Sequence, residues 1–176
     1  MAHISAIDPA AASPQVAAIF TEIKSAFGMV PNLFKAYSHH PPLLEANWYK
    51  VKRVMMEGAL SRKTKETIAL LVSKENGCRY CVAAHRGALK AIGVPPEEIR
   101  TIETDLDQAG FDRKERALIR LALQANRAAN APADEVFAEL RAAGATDAEI
   151  VEALGVMEVF ASFNRFLDIL RIEVDF

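Results

Sequence analysis

The feature that most restricts the fold is an internal repeat. Arg62, Lys63, Ile68, Leu70, Leu89, Gly93, Glu98 and Ile99 recur 51 residues later as Arg113, Lys114, Ile119, Leu121, Leu140, Gly144, Glu149 and Ile150. The segments LKAIGVPPEEI and LRAAGATDAEI show the match directly. A constant offset over so long a span implies duplication of one helical unit, with the two copies packed about a local pseudo-twofold axis. The competing explanation is that amphipathic helices share composition and so resemble one another.

The pattern around the repeat is helical throughout. Val16, Ile19, Phe20, Ile23 and Phe27 form one stripe behind Ser13-Pro14, which supply a cap and a proline at the first helical position. Pro31 opens a short turn through Phe34 and Tyr37, and Pro41-Pro42 open an amphipathic segment from Leu43 to Met56. Further helices are predicted from Ser61 to Lys74, Cys78 to Ala91, Glu97 to Leu106, Arg113 to Arg127, Asp134 to Arg141 and Thr146 to Ile172. No sustained alternation with hairpin signals occurs, so the predicted class is all-α. With 176 residues and 51% hydrophobic content the chain can bury a core without staples, and one domain is expected. It divides into an N-terminal helical extension (1–58), a first unit (59–106) and a second unit (110–176). The last helix is apolar on nearly every side, from Val151 to Leu170, which points to a surface shared with another subunit.

Charge removes several function classes. Lysine and arginine number 21 against 23 acidic residues, which gives no basic field for nucleic acid. The start MAHISAIDPAAAS lacks a leader pattern and no run reaches a membrane span, so a soluble, cytoplasmic protein is expected. The two cysteines lie three apart, too close for a structural staple. They are there for reactivity or for a metal.

The segment Cys78-Arg79-Tyr80-Cys81-Val82-Ala83-Ala84-His85 is a C-x-x-C with a histidine four residues on. On a helix those spacings share a face, and a helix N-terminus lowers a thiol pKa. His85 lies one turn from Cys81 and can take its proton directly or through a water, which makes Cys81 the nucleophile. Cys78 is placed to condense with a sulfenic acid on Cys81, giving a disulfide. Glu66 can return across the cysteines through a turn at Asn76-Gly77 and orient His85, although Glu75 competes for that role. At the repeat offset, Glu66, Cys78, Cys81 and His85 become Ala117, Ala129, Pro132 and Val136, so the chemistry belongs to the first unit. Tyr80 is a secondary candidate, able to donate a hydrogen bond into the site.

Three alternatives stay open on the residues alone. A zinc site would need three or four protein ligands, and two cysteines with one histidine supply only the minimum. Two unreactive core cysteines are also compatible with the spacing. A thioredoxin-type site would follow a strand, and none is predicted. His39-His40 read as a solvated turn, and Trp48 and Tyr49 as core or interface.

The run LSRKTKETIALLVSKENGCRYCVAAH resembles the core of the alkyl hydroperoxidase D (AhpD) and carboxymuconolactone decarboxylase superfamily. Its signature, E-x(11)-C-x-Y/H-C-x(3)-H, is met by Glu66, Cys78, Tyr80, Cys81 and His85. The stretch around MVPNLFKAYSHHP and the overall length are similar to the peroxidase-related group within it. The resemblance implies an AhpD-like all-helical fold with an internal duplication, and homo-oligomers, often trimers or hexamers. It implies Cys81 as the peroxidatic thiol, Cys78 as its disulfide partner, and Glu66 with His85 as a proton relay. The expected substrate is a hydroperoxide, the partner an unidentified thiol or dithiol reductant, and no cofactor or metal is called for. Tyrosine rather than histidine between the cysteines departs from AhpD proper and its dedicated lipoyl-protein reductant. General thiol-disulfide exchange and decarboxylase-like chemistry at His85 are the other activities within reach.

Overall fold

The computed structural model describes residues 2–128 and 134–176, and among these all regular structure is helical. A single 3-10 turn at Pro9–Ala11 precedes α1 (Pro14–Phe27), α2 (Asn32–Tyr37) and α3 (Pro41–Met56). The first unit is α4 (Arg62–Glu75), α5 (Arg79–Ala91) and α6 (Pro96–Thr104), and the second is α7 (Arg113–Arg127), α8 (Asp134–Ala142) and α9 (Asp147–Leu170).

Local chemistry explains most of the boundaries. Ser13 and Ser61 accept hydrogen bonds from Val16 N and Thr64 N and cap α1 and α4. Asp112 with Glu115, and Thr146 with Glu149, form capping boxes at α7 and α9. One short element differs from the reading above. Residues after Pro31 wind into the helix α2 rather than a turn, because the Pro31 carbonyl accepts from Phe34 N and Lys35 N. His40 caps α3, its Nδ1 accepting from Leu43 N at 3.3 Å, and His39 Nε2 lies 2.7 Å from the Ser5 carbonyl.

The duplication is visible in matched bonds. Lys63 pairs with Glu98 at 3.0 Å, and Lys114 pairs with Glu149 at 2.6 Å. Val94 N donates to Leu89 O at 3.0 Å and Ala145 N to Leu140 O at 2.9 Å, each across a left-handed glycine, Gly93 (φ +86°) and Gly144 (φ +78°). Helices α4 and α7 lie side by side in the same sense. Thr64 donates to Glu115 near their starts, and Asn76 meets Asn126 at their ends. Of the second-unit counterparts of the reactive residues, Ala129 and Pro132 lie outside the described residues.

One helix breaks the symmetry. The residue equivalent to Thr104, where α6 stops, is Gly155, yet α9 continues to Leu170. This extension passes α3, α4, α5 and α7 and buries Val156, Val159, Phe160, Phe163 and Leu167 among them. Its all-round apolar character therefore has an explanation inside the chain, a central helix surrounded by neighbours, and the subunit surface expected from it is not required. Val151 and Ile169 are its large apolar side chains that stay exposed. Lys65, itself buried, ties the end of α3 to α9 through the Val54 carbonyl at 2.9 Å and the Glu152 carboxylate at 2.5 Å. Among the described residues no helix is long and apolar enough to cross a membrane.

Candidate active site

Cys78 is the N-cap of α5 and Cys81 sits in its first turn, after the α4–α5 connection is closed by Cys78 N donating to Ser73 O at 2.9 Å. Both thiols are free and buried. They differ in what they face. Cys81, Glu66 and His85 line a cavity of about 430 Å³, and Cys78 does not. The cavity wall is apolar, formed by Phe27, Phe34, Phe160 and Phe163 and by the small residues Ala84, Gly87 and Ala88 of α5.

The helical hairpin brings α4 back across α5, so that Glu66 Oε2 lies 2.6 Å from His85 Nδ1. Both side chains are buried, and the imidazole stands edge-on to Phe160 at 4.3 Å between centroids. With Glu66 ionised, the hydrogen-bond network assigns the proton to Nδ1 and leaves Nε2 as the acceptor. Nε2 is buried and has no protein partner among the described residues. His85 thus makes no hydrogen bond to Cys81. Of the two proton routes expected, direct and bridged, this geometry leaves the bridged one, through a molecule in the cavity.

Arg62 completes the array and was not among the expected site residues. Its Nε and Nη2 donate to Glu66 Oε1 at 2.8 and 2.7 Å, and its Nη1 donates to the Met55 carbonyl at 3.2 Å. The i,i+4 spacing of Arg62 and Glu66 on one helix was the available signal. Burial pushes the Glu66 carboxyl up, but the charge and hydrogen bond of His85, then those of Arg62, outweigh it and hold it below the usual range. Glu75, the competing carboxylate, is at the other end of α4 and pairs with Arg127.

The two sulfurs act on each other. Cys78 is lowered, first by the hydrogen bond from the Cys81 thiol and against its own burial. Cys81 is raised well above the ordinary thiol by that same bond and by burial. Ionisation of either sulfur therefore strongly opposes ionisation of the other. A charge on Cys81 also bears on Tyr37, which burial and Cys81 push up to about 12.

The Tyr80 hydroxyl bonds to neither thiol, although the residue lines the same cavity as Cys81. Its hydroxyl donates to Asp175 Oδ1 at 2.8 Å and accepts from Leu33 N at 3.3 Å, while its ring meets Phe176 edge-on at 5.0 Å. Burial and Asp175 hold the phenol well above its usual value. Asp175 also accepts from Asn32 N at 2.8 Å, so Tyr80 anchors the segment that places Phe176 on the cavity wall. No group of three metal-binding side chains gathers among the described residues.

Residues 42–106 and 101–172 each match the carboxymuconolactone decarboxylase family. The chain belongs to that family. The double match covers both helical units, in accord with the matched bonds of α4–α6 and α7–α9. An alkyl hydroperoxide reductase of Mycobacterium tuberculosis is 32% identical over 91 residues, which are 52% of this chain and 26% of that protein. This chain thus spans about a quarter of that relative's length. Two solved structures share the fold over nearly the whole chain. A peroxidase-related protein with an alkylhydroperoxidase AhpD core from Ralstonia eutropha JMP134 superposes with a TM-score of 0.88 at 23% identity, covering 99% of this chain and 92% of that one. A peroxidase-related protein from Silicibacter sp. TM1040 gives 0.87 at 25% identity with the same coverages, 99% and 92%. The AhpD-like fold anticipated from the signature is the fold of this family member.

Proposed function

We propose that this family member is a thiol peroxidase that reduces organic hydroperoxides with Cys81 and closes a Cys78–Cys81 disulfide. The observation that carries the reading is that Cys81 and the Glu66-held imidazole of His85 line one apolar cavity while Cys78 lies behind Cys81. The similarity to an alkyl hydroperoxide reductase and to peroxidase-related proteins supports it.

The hydroperoxide enters the cavity and Cys81 passes its proton along the sulfur–sulfur hydrogen bond to Cys78. The Cys81 thiolate attacks the terminal peroxide oxygen while His85 Nε2 takes the proton of that oxygen, the O–O bond breaks, and the departing alkoxide takes the proton from the imidazolium so formed to leave as an alcohol. Glu66 stabilises the imidazolium until it gives up that proton and holds the ring in one orientation throughout. Cys81 is left as a sulfenate, which takes back the proton held on Cys78 and becomes a sulfenic acid. Cys78, again a thiolate, attacks the Cys81 sulfur and expels hydroxide, which takes a proton from solvent to leave as water. A thiol or dithiol reductant restores both thiols by exchange.

The test is to mix reduced protein with hydrogen peroxide or an organic hydroperoxide and follow both thiols by mass spectrometry. Loss of two thiols per chain with a Cys78–Cys81 disulfide, abolished in folded Cys81→Ser, is the expected result. Thiols that stay reduced, or turnover retained in Cys81→Ser, would instead favour a His85-centred, decarboxylase-like activity.

A further inference from the structure

We infer that Asn164, on the part of α9 that has no counterpart in the first unit, is the neutral donor that holds negative charge on the Cys81 sulfur, with Ser73 completing the cradle. The inference rests on the reading that Cys81 is the reacting thiol.

Asn164 is buried on α9 beside Phe163 and one turn before Leu167, both also buried, and a buried amide is costly unless its hydrogen bonds are made. Its Oδ1 accepts from Asn76 Nδ2 at 3.0 Å. That bond fixes which way the amide faces, and turns Nδ2 toward Ser73 Oγ, 3.0 Å away. An amide nitrogen carries two hydrogens and Ser73 takes one. The other is left for Cys81. Ser73 is fully buried on α4, and because its Oγ accepts from Asn164, its own hydroxyl hydrogen is free to point at the same sulfur. Its carbonyl meanwhile receives Cys78 N at 2.9 Å, so the serine that holds the Asn164 amide also fixes the backbone at the first cysteine.

The electrostatics agree with this placement. Hydrogen bonds from Asn164 and Ser73 are the two influences that pull Cys81 down, against Cys78 and burial. A hydrogen bond to an ionised group is stronger than one between neutral groups, so these donors favour the thiolate over the thiol. Being neutral, they do so without titrating. This supplies what the Cys78–Cys81 pair lacks by itself, a reason for charge to move from the sulfur behind to the sulfur facing the cavity.

The groups that titrate or carry charge around Cys81 are Cys78, Tyr80 and His85 from α5, Glu66 and Arg62 from α4, Tyr37 from α2, and Asp168 from α9 beside Cys78. All of them are unchanged in Asn164→Leu, Ser73→Ala and Asn76→Ala, so differences between these variants and the parent isolate the donors. The reduced, intact protein is alkylated with iodoacetamide across pH, and modification of Cys78 and Cys81 is followed separately by peptide mass spectrometry. Asn164→Leu is expected to slow Cys81 alkylation near neutral pH about tenfold and to move its midpoint upward. Ser73→Ala is expected to do the same to a smaller degree, and Asn76→Ala, at an exposed position, less again by releasing the amide. An unchanged Cys81 profile in folded Asn164→Leu, or in Ser73→Ala where the leucine variant does not fold, overturns the inference. A parent protein in which Cys78 is alkylated and Cys81 is inert also overturns it, by removing the reading on which it rests.

Discussion

The first and second helical units are built with the same joints and carry different loads. Each has the lysine–glutamate pair, the left-handed glycine and the backbone bond across it, at matched positions. At the centre of α4 the first unit buries Glu66; at the same depth in α7 the second buries Ala117. The carboxylate is tolerable because Arg62 and His85 surround it, whereas the second unit keeps Arg113 in register but has Val136 where the histidine would be. The second unit contributes in another way. Its α9 runs past the point where α6 ends and delivers Phe160, Phe163 and Asn164 to the first unit's thiols. One copy holds the reactive groups and the other has become part of their wall, which shows that a duplicated scaffold fixes geometry and leaves chemistry to a few polar positions.

The contrast can be attacked most directly by placing a carboxylate in the second unit. Ala117→Glu puts an acid in a buried position with an arginine nearby and no imidazole, and is expected to lower stability by roughly 3 kcal/mol in denaturant unfolding. A variant as stable as the parent would mean that the second unit still offers a polar receptacle.

Removing the charge from the first unit is the converse. Glu66→Gln keeps hydrogen-bonding atoms but cannot stabilise an imidazolium, and peroxide-driven thiol loss is expected to fall roughly a hundredfold. The same variant has a pH signature. Because the folded carboxyl sits below its usual value of 4.5, its ionisation stabilises the protein above that pH, and the contribution is lost as pH falls through the folded value. Melting temperature against pH should therefore drop less steeply below about pH 4.5 in Glu66→Gln than in the parent. Equal acid limbs would show that His85 and Arg62 do not favour the ionised form.

The smallest effect tests what the units share. Gly93 and Gly144 have left-handed backbones and open space where a Cβ would go, so alanine at either should cost only backbone strain, about 1 kcal/mol each. Unequal losses in thermal melts would show that the two junctions are less alike than their bonds suggest.

Much of this was written in the sequence. Helix starts were legible because caps such as Ser13 and Ser61 act on backbone groups within three residues, and such chemistry does not depend on distant parts of the chain. The repeat was legible because one offset aligned scaffold residues, and the C-x-x-C with His85 because helical spacing is fixed. Arg62 lay within reach of the same logic, by its spacing to Glu66. What tertiary structure alone decided is which groups meet. It paired Glu66 with His85 and sent Glu75 to Arg127, directed the Tyr80 hydroxyl to Asp175, used the apolar faces of α9 inside the chain, and brought Asn164 to Ser73 from 91 positions away. The reason is one of range: capping and periodicity are set by neighbours along the chain, whereas burial, the partner of a buried polar group and the sulfur that faces a cavity depend on packing among helices far apart in sequence.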